Sequence, residues 1–225
     1  IAHALKPSAR LRGVLGHAGE SYEARGEEAL AAAAEGERAA AAGAARMLRD
    51  AGWVCPVVSV GSTPTAFSAR SYEGVTEVRA GVFVFFDLVQ AGIGICAVDD
   101  IAVSVLATVI GHQRDKGWAI VDAGWTALSC DRGTAGQAVD QGYGLVCDVG
   151  GRPLGDLVVR GVNQEHGVVA PRSGNPADLP DLPVGTRVRI LPSHACATVT
   201  QFDRYHVIGA GGEGVTAVWP RLMGW

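Results

Sequence analysis

The first 86 residues contain three short apolar runs, the first two separated by a long helix, and this order restricts the fold strongly. Leu11 to Leu15 (L-R-G-V-L) fits a buried strand. Glu27 to Asp50 is rich in alanine, glutamate and arginine and lacks proline, which is typical of a helix, and Gly52 is placed to cap its C-terminus. Pro56 to Val60 (P-V-V-S-V) is the next predicted strand, and Thr76 to Phe86 a third. A strand, a long helix and another strand predict parallel pairing, as in βα units.

The character of the chain changes near residue 95. From Ile101 onward, apolar segments recur between glycine and proline turns, and none shows a convincing helical period. They are I-A-V-S-V-L-A-T-V-I, W-A-I-V-D-A-G-W, G-L-V-C-D-V, D-L-V-V-R-G-V, R-V-R-I-L-P and Y-H-V-I. This pattern predicts an all-β domain. The sequence therefore predicts an α/β part over residues 1–95 and a β-domain over residues 96–225, joined near Gly92 to Asp99.

Composition excludes several functional classes. The chain has 225 residues, 48% hydrophobic and 19% charged, so it can bury a substantial core. Its net charge is -4 and its basic residues do not cluster, which argues against a nucleic-acid surface. The richest apolar run, Val82 to Val98, is interrupted by Asp87 and Gln90, which argues against a membrane span. The 5 cysteines show no C-x-x-C spacing, which favours free thiols in a reducing cytoplasm.

Three polar loops are candidate sites, and each has a simpler structural alternative. Gly61 to Thr65 (G-S-T-P-T) can cradle a phosphate, especially if Pro64 starts a helical turn, or it is a plain turn with capping residues. Gly81 lets a ligand approach the main chain, or it marks a bend in a strand. Glu165 and His166 form a usable acid–base pair, or an ordinary surface turn.

The segment Leu191 to Val199 (L-P-S-H-A-C-A-T-V) carries the clearest candidate metal ligands. His194 and Cys196 lie two residues apart in a run that resembles a strand, which would place both side chains on one face. An imidazole and a thiolate suit zinc, and two protein ligands leave coordination positions open, as in a catalytic site. The alternative is a core cysteine beside a hydrogen-bonded histidine.

Several motifs together resemble one enzyme family. They are H-A-G-x-S-Y, S-V-G-S-T-P-T, E-V-R-A-G-V-F-V-F-F-D, D-A-G-W-T-A-L-S, Q-E-H-G and P-S-H-A-C-A-T. In this order, across nearly the whole chain, they resemble the D-serine dehydratase and D-threonine aldolase family. Its members are pyridoxal-phosphate enzymes of the alanine-racemase fold, a (β/α)8 barrel followed by a β-domain. The resemblance favours a metal site at His194 and Cys196.

The resemblance also implies roles for residues of the loops. It places the cofactor's phosphate against five residues, namely Gly61, Ser62, Thr63, Gly81 and Val82. It places Tyr22 against the pyridine nitrogen, with Arg79 as the alternative because racemase relatives have an arginine in that strand. His166 is a weak candidate for a catalytic residue.

The lysine that binds the cofactor in this family has no counterpart here. Members form a Schiff base with a lysine on the first barrel strand, but this chain has only Lys6 and Lys116. Lys6 precedes a proline outside any good strand, and Lys116 lies in a hairpin-like turn. About 95 residues have βα character, whereas a whole barrel takes about 250. We therefore expect the C-terminal part of a (β/α)8 alanine-racemase-like barrel followed by a β-domain, with the catalytic lysine absent.

The implied activity is that of a lyase dependent on pyridoxal phosphate and a divalent metal, most simply zinc, acting on small D-3-hydroxy amino acids. Family dehydratases carry H-x-C and aldolases tend towards H-x-D, so Cys196 favours dehydration. The alternatives are D-threonine aldolase activity and a non-catalytic, truncated chain. Relatives imply a homodimer. We expect this chain alone to be inactive.

Overall fold

The computed structural model describes residues 9–209 and 214–223. The chain forms two compact units, Ile1–Val84 with Ile93–Ile95, and Phe85–Gly92 with Cys96–Trp225. Between residues 85 and 95 the chain passes from one unit to the other more than once, because Phe85–Gly92 belongs to the second unit and Ile93–Ile95 to the first. The sequence analysis placed one boundary after residue 95. That single boundary stays a prediction.

The first unit contains a parallel three-stranded sheet in the order β1-β2-β3. In chain order its elements are β1 (Gly13–Leu15), a 3-10 helix (Gly19–Tyr22), α1 (Glu27–Asp50), β2 (Val57–Val60), α2 (Thr63–Ser68), β3 (Glu77–Val78) and a 3-10 helix (Val82–Val84). Val14 pairs with Val58, and Val60 pairs with Val78. The parallel pairing predicted from the strand–helix–strand order is present.

Helix α1 has the bounds that the sequence predicts, because no proline interrupts its run of strong helix formers. One face of the helix is buried, and that face contains Leu30, Ala34, Ala41 and Ala45 at spacings of three or four residues or their multiples. After the last turn, Gly52 has a φ of 83° and its N–H donates to the carbonyl of Arg49. Its predicted role as a C-terminal glycine is therefore confirmed.

The third strand is much shorter than predicted. The prediction covered Thr76 to Phe86, but only Glu77 and Val78 pair with β2. The ladder ends where the Arg79 N–H donates to the carbonyl of Val60. Beyond it the chain turns into the 3-10 helix Val82–Val84, with the Val84 N–H donating to Gly81. The apolar run V-F-V-F-F resembles a buried strand in composition, but it has no partner strand.

The second unit is built mainly from antiparallel strands. Its elements are α3 (Leu88–Gly92), a 3-10 helix (Val98–Asp100), β4 (Val105–Gln113), a 3-10 helix (Arg114–Lys116), β5 (Trp118–Val121), α4 (Trp125–Leu128), β6 (Gly144–Cys147), β7 (Pro153–Val162), β8 (Gly167–Pro171), a 3-10 helix (Pro176–Asp178), β9 (Arg187–Pro192), α5 (Ala195–Val199), β10 (Arg204–Ile208) and β11 (Val215–Pro220).

Six of these strands close into a barrel in the order β4-β5-β8-β7-β6-β9. Each neighbouring pair is antiparallel, and β10 and β11 form a separate hairpin. The barrel interior is filled by small and branched apolar side chains, among them Val109, Val121, Val159 and Ile190. The predicted β-domain is confirmed, although the sequence analysis missed β8 and β11.

None of the helices that the described residues form has the length and apolar character needed to cross a membrane.

Candidate active site

The segment containing His194 and Cys196 is not a strand, which corrects the prediction. Strand β9 ends at Pro192, His194 is the extended N-cap residue, and Cys196 lies in the first turn of α5. The reason lies in another part of the unit, since the Asp87 carboxylate accepts the Ala195 N–H at 2.9 Å and so caps the helix. The alternation of side chains along a strand therefore does not apply here.

The two side chains meet nevertheless. The Cys196 side chain interacts with the His194 imidazole, and the His194 Nδ1–H donates to Asp131 Oδ2 at 2.6 Å. The interactions with Cys196 and then with Asp131 raise the pKa of His194 to about 9, against burial, which lowers it. The structure thus places an imidazole between a sulfur and a carboxylate.

The backbone on both sides of His194 is fixed by contacts from distant segments. Before it, the Ser193 carbonyl accepts from the Val89 N–H and the Ser193 hydroxyl donates to Gly142. After it, Asp87 holds the Ala195 N–H. Burial raises the pKa of Asp87, with the N–H of Ala195 as the main opposing influence. These contacts fix the position of the His194 backbone and therefore of its Cα–Cβ bond.

The donor set at His194 and Cys196 fits a borderline-soft divalent ion. The His194 side chain is 39% exposed and Cys196 is also exposed, so solvent reaches the pair. Within the described part of the chain, no group of three or more His, Cys, Asp or Glu side chains is placed to hold a metal ion. A metal at this pair would have two protein ligands and would take its remaining ligands from water or substrate.

The G-S-T-P-T loop leads into the helix α2, which is the condition that the sequence analysis set for a phosphate cradle. Ser62 is the N-cap of α2, its hydroxyl accepts from the Thr65 N–H, and the Thr65 hydroxyl accepts from the Ser62 N–H. Pro64 lies in the first turn of α2, where a missing N–H costs nothing. The sequence analysis gave two alternatives for this loop, a capping turn and a phosphate cradle. The observed geometry is compatible with both.

The buried carboxylate of Glu37 organises this loop from α1. Its Oε1 accepts the N–H groups of Ala18 and Gly61 at 3.1 and 2.9 Å, and its Oε2 accepts from the Thr65 hydroxyl at 2.8 Å. The Gly61, Ser62 and Thr65 N–H groups are therefore engaged within the protein. Of the five predicted phosphate-binding residues, this leaves the N–H groups of Thr63, Gly81 and Val82 for a ligand.

Gly81 has the space that a close ligand requires. No atom lies within 4 Å of the position that a Cβ would occupy there, and the adjacent Val82 is buried. The Arg79 guanidinium instead binds inside the unit, since its Nε donates to the Ser59 hydroxyl and its Nη2 to the Gly16 carbonyl. Tyr22 ends the 3-10 helix Gly19–Tyr22 and is half-buried.

His166 and Lys116 lie in turns. His166 is exposed between β7 and β8, and its carbonyl accepts from the Asn163 N–H. Lys116 ends the 3-10 turn between β4 and β5, with its Nζ 4.7 Å from the ring centroid of Trp118. Lys6 lies outside the described residues.

Sequence reasoning missed three carboxylates that organise these loops. Glu37 gives a detectable signal, because a charged residue stands among the alanines of the buried face of α1. Asp131 and Asp87 give no local signal, since they contact residues 63 and 108 positions away.

Residues 102–208 match a family model described as "Putative serine dehydratase domain". The chain is 61% identical over 218 residues to the D-threo-3-hydroxyaspartate dehydratase of Delftia sp. (strain HT23), a match that covers 96% of this chain and 57% of the relative. It is 28% identical to the D-serine dehydratase of Dictyostelium discoideum, covering 94% of this chain and 54% of that protein. The chain thus spans little more than half the length of these relatives.

Solved structures that resemble this chain include variants of the same dehydratase. A histidine-to-alanine variant of D-threo-3-hydroxyaspartate dehydratase superimposes with a TM-score of 0.89 at 58% identity, and a cysteine-to-alanine variant in the metal-free form with 0.87 at 59%. Each match covers 96% of this chain and just over half of the other, 56% and 57%. An alanine-racemase-like protein from Idiomarina loihiensis gives 0.86 at 44% identity, over 95% of this chain and 56% of that one. The fold prediction is confirmed, and the matched residues 102–208 belong to the serine dehydratase domain family, in a chain that has the alanine-racemase fold.

Proposed function

We propose that this chain is the phosphate-binding and metal-binding part of a lyase that dehydrates D-3-hydroxy amino acids with pyridoxal phosphate and a divalent metal. The observation that carries the proposal is the His194–Cys196 pair, whose side chains interact and are open to solvent. The two variants of D-threo-3-hydroxyaspartate dehydratase support it, because their substituted histidine and cysteine are two residues apart and the cysteine variant is in the metal-free form. A nitrogen and a sulfur ligand favour zinc.

The metal-binding pair has a defined task in this proposal. His194 and Cys196 would hold a divalent ion, which would supply Lewis acidity to help a substrate β-hydroxyl leave as hydroxide. The protein holds the imidazole through Asp131 and the following helix turn through Asp87, so the pair keeps its geometry as the substrate enters. The coordination positions that two protein ligands leave open are where the substrate hydroxyl would bind.

The phosphate-binding residues have a separate task. Pyridoxal phosphate, when bound, supplies an electron sink for negative charge at the substrate α-carbon. The N–H groups of Thr63, Gly81 and Val82 would hold its phosphate, beside the turn that Gly61 and Ser62 form. Tyr22 would face the ring nitrogen. Arg79 is the weaker choice, because its guanidinium already donates to Ser59 and Gly16.

The setting of the enzyme follows from weaker observations. All 5 cysteines are free, which supports a reducing cytoplasm.

Val218 and Trp219 on the β10–β11 hairpin are exposed, which supports the homodimer that the family implies. Gel filtration with light scattering measures the oligomeric state, and a monomer at micromolar concentration would contradict the dimer.

A chimera tests the activity. The part of the Delftia dehydratase that this chain does not match is joined to it, and D-threo-3-hydroxyaspartate, D-serine and D-threonine are offered in turn. Dehydration followed by hydrolysis of the imine gives oxaloacetate, pyruvate or 2-oxobutanoate, each with ammonia. Cleavage of D-threonine to glycine and acetaldehyde would instead show an aldolase. Absence of both product types would favour the non-catalytic alternative.

The Cys196→Ser chimera tests the metal site. We expect it to lose zinc and dehydration together, because a hydroxyl is a much poorer zinc ligand than a thiolate. Cys130→Ser is the matched control, since Cys130 is also exposed in the same unit. Unchanged zinc content in Cys196→Ser would remove Cys196 from the metal site.

A further inference from the structure

The carboxylate of Asp131 lies where it can set the orientation of the His194 ring. The Nδ1 of His194 and Oδ2 of Asp131 are 2.6 Å apart, which is a short, charge-assisted hydrogen bond. The residues are 63 positions apart in the chain, so the contact depends on the tertiary fold.

The segment that carries Asp131 is itself held in an unusual conformation. Ser129 is buried and has a φ of 70°, which a residue with a side chain adopts only under tertiary constraint. Its hydroxyl accepts from the Asp131 N–H at 3.2 Å, and the carbonyl of the preceding Leu128 accepts from the Thr198 hydroxyl of α5 at 3.0 Å. The end of α4 is therefore tied directly to the helix that contains Cys196.

The neighbouring cation does not compete for this carboxylate. The guanidinium of Arg132 pairs with Asp140 and lies 5.2 Å from the ring centroid of Tyr143. The backbone at residues 193 and 195 is fixed by other contacts, so only rotation about the side-chain torsions can still change the direction of the His194 ring. The hydrogen bond to Asp131 restricts this rotation.

We propose that Asp131 is a positioning residue that holds His194 with its proton on Nδ1, so that Nε2 presents its lone pair to the metal. The inference rests on the metal site of the proposed function. A carboxylate that accepts from the second nitrogen of a metal-binding histidine fixes the tautomer and ring direction and raises the basicity of the ligand. With Nδ1 held by Asp131, the metal takes Nε2 and Cys196 Sγ, and Asp131 acts through His194 without touching the metal.

The test is zinc binding to the 225-residue chain, with no activity assay required. Zinc affinity is measured by competition with a chromophoric chelator at constant pH, for the unmodified chain, Asp131→Asn and Asp156→Asn. Asp156 is the matched control, because its carboxylate belongs to the same unit and pairs at the surface with Arg172. We expect Asp131→Asn to bind zinc about 10- to 100-fold more weakly, which is the usual loss when a carboxylate that holds a metal-binding histidine is removed. Asp156→Asn should stay within about twofold of the unmodified chain, well below that loss.

Cobalt spectra separate positioning from direct ligation. At saturating Co²⁺, Asp131→Asn should keep both the thiolate-to-cobalt charge-transfer band and the d–d bands of the unmodified chain, since its ligands are unchanged. Shifted d–d bands would show that Asp131 is itself a ligand and would overturn the inference. Zinc affinity within twofold of the unmodified chain would also overturn it, after circular dichroism has shown that the variant is folded. If the unmodified chain binds no zinc, the proposed metal site fails and the role of Asp131 fails with it.

Discussion

The carboxylate of Glu37 accepts a hydrogen bond of 2.9 Å from the backbone N–H of Gly61, which lies 24 residues further along the chain. The same oxygen accepts the Ala18 N–H, and the other oxygen accepts from Thr65. One side chain of α1 thereby joins the loop after β1 to the loop after β2. Gly61 has a φ of 140°, and a Cβ there would collide with the carbonyl of Arg79, so the turn that Glu37 holds requires glycine.

Glu37→Ala should therefore loosen both loops. The substitution leaves two buried N–H groups without partners, and each such group costs about 1–3 kcal/mol, so we expect a loss of about 2–6 kcal/mol. The measurement is hydrogen exchange at the Ala18 and Gly61 amides, together with urea unfolding. Glu35→Ala is the control, because Glu35 lies on the exposed face of the same helix and pairs at the surface with Arg38. Unchanged exchange at Gly61 would show that Glu37 does not hold the loop.

Stability should depend on pH through Asp140. Burial acts to raise the pKa of this carboxyl, but the Gly142 N–H and the Arg132 guanidinium outweigh it and lower the pKa below the usual value. A carboxyl with a lowered pKa in the folded state contributes stability above its unfolded pKa, and this contribution is lost as the pH falls through the folded pKa. Asp140→Asn should thus lower the urea midpoint at pH 7 and have a much smaller effect at pH 3. An equal effect at both pH values would contradict this assignment.

The sequence predicts the parts of the structure whose determinants are local. Helix α1 has the bounds that the sequence predicts because its many alanine, glutamate and arginine residues outweigh the unfavourable Gly36 and Gly43. Strand β9 matches the predicted R-V-R-I-L-P segment for a similar reason, since it is bounded by a glycine turn and a proline. The parallel order of β1 and β2 follows from chain order alone.

The failures concern residues whose conformation is decided elsewhere in the chain. His194 and Cys196 have the spacing of a strand, yet Asp87 caps a helix at Ala195 and turns the segment. The role of Asp131 depends on how α4 and α5 pack, which no local pattern records. The G-S-T-P-T loop was found as a phosphate candidate, but the occupation of its Gly61 N–H by Glu37 depends on tertiary contacts.

This chain alone should form no specific covalent adduct with pyridoxal phosphate. Lys116 ends an exposed turn between β4 and β5, with its Nζ over the Trp118 ring, and this is not the barrel-strand position of the family's lysine. The measurement is borohydride trapping at equimolar cofactor, followed by peptide mapping. The native chain should give no more adduct than the urea-denatured chain. A stoichiometric adduct on Lys116 or Lys6, formed only in the native chain, would contradict the expected absence of the catalytic lysine.

Alkylation of the cysteines should depend on burial, pH and zinc in different ways at different positions. The pKa values of Cys147 and Cys96 are both raised to about 11, mainly because the thiols are buried. The negative charge of Asp100 raises the pKa of Cys96 further. The thiolate is the reactive form, so at pH 8 both thiols should react very slowly with iodoacetamide. Cys130 is exposed and should react at once.

The pH series distinguishes the two protected thiols. Cys96 is half-buried, so its alkylation rate should rise about tenfold per pH unit until the pH nears its pKa, as the thiolate fraction does. Cys147 is fully buried and should stay unreactive until the chain unfolds. Zinc should protect Cys196, which is exposed, while the reaction of Cys130 stays unchanged in the same sample. Mass spectrometry of the alkylated peptides measures all four rates together. Equal protection of Cys130 and Cys196 by zinc would mean that the ion binds outside the His194–Cys196 pair.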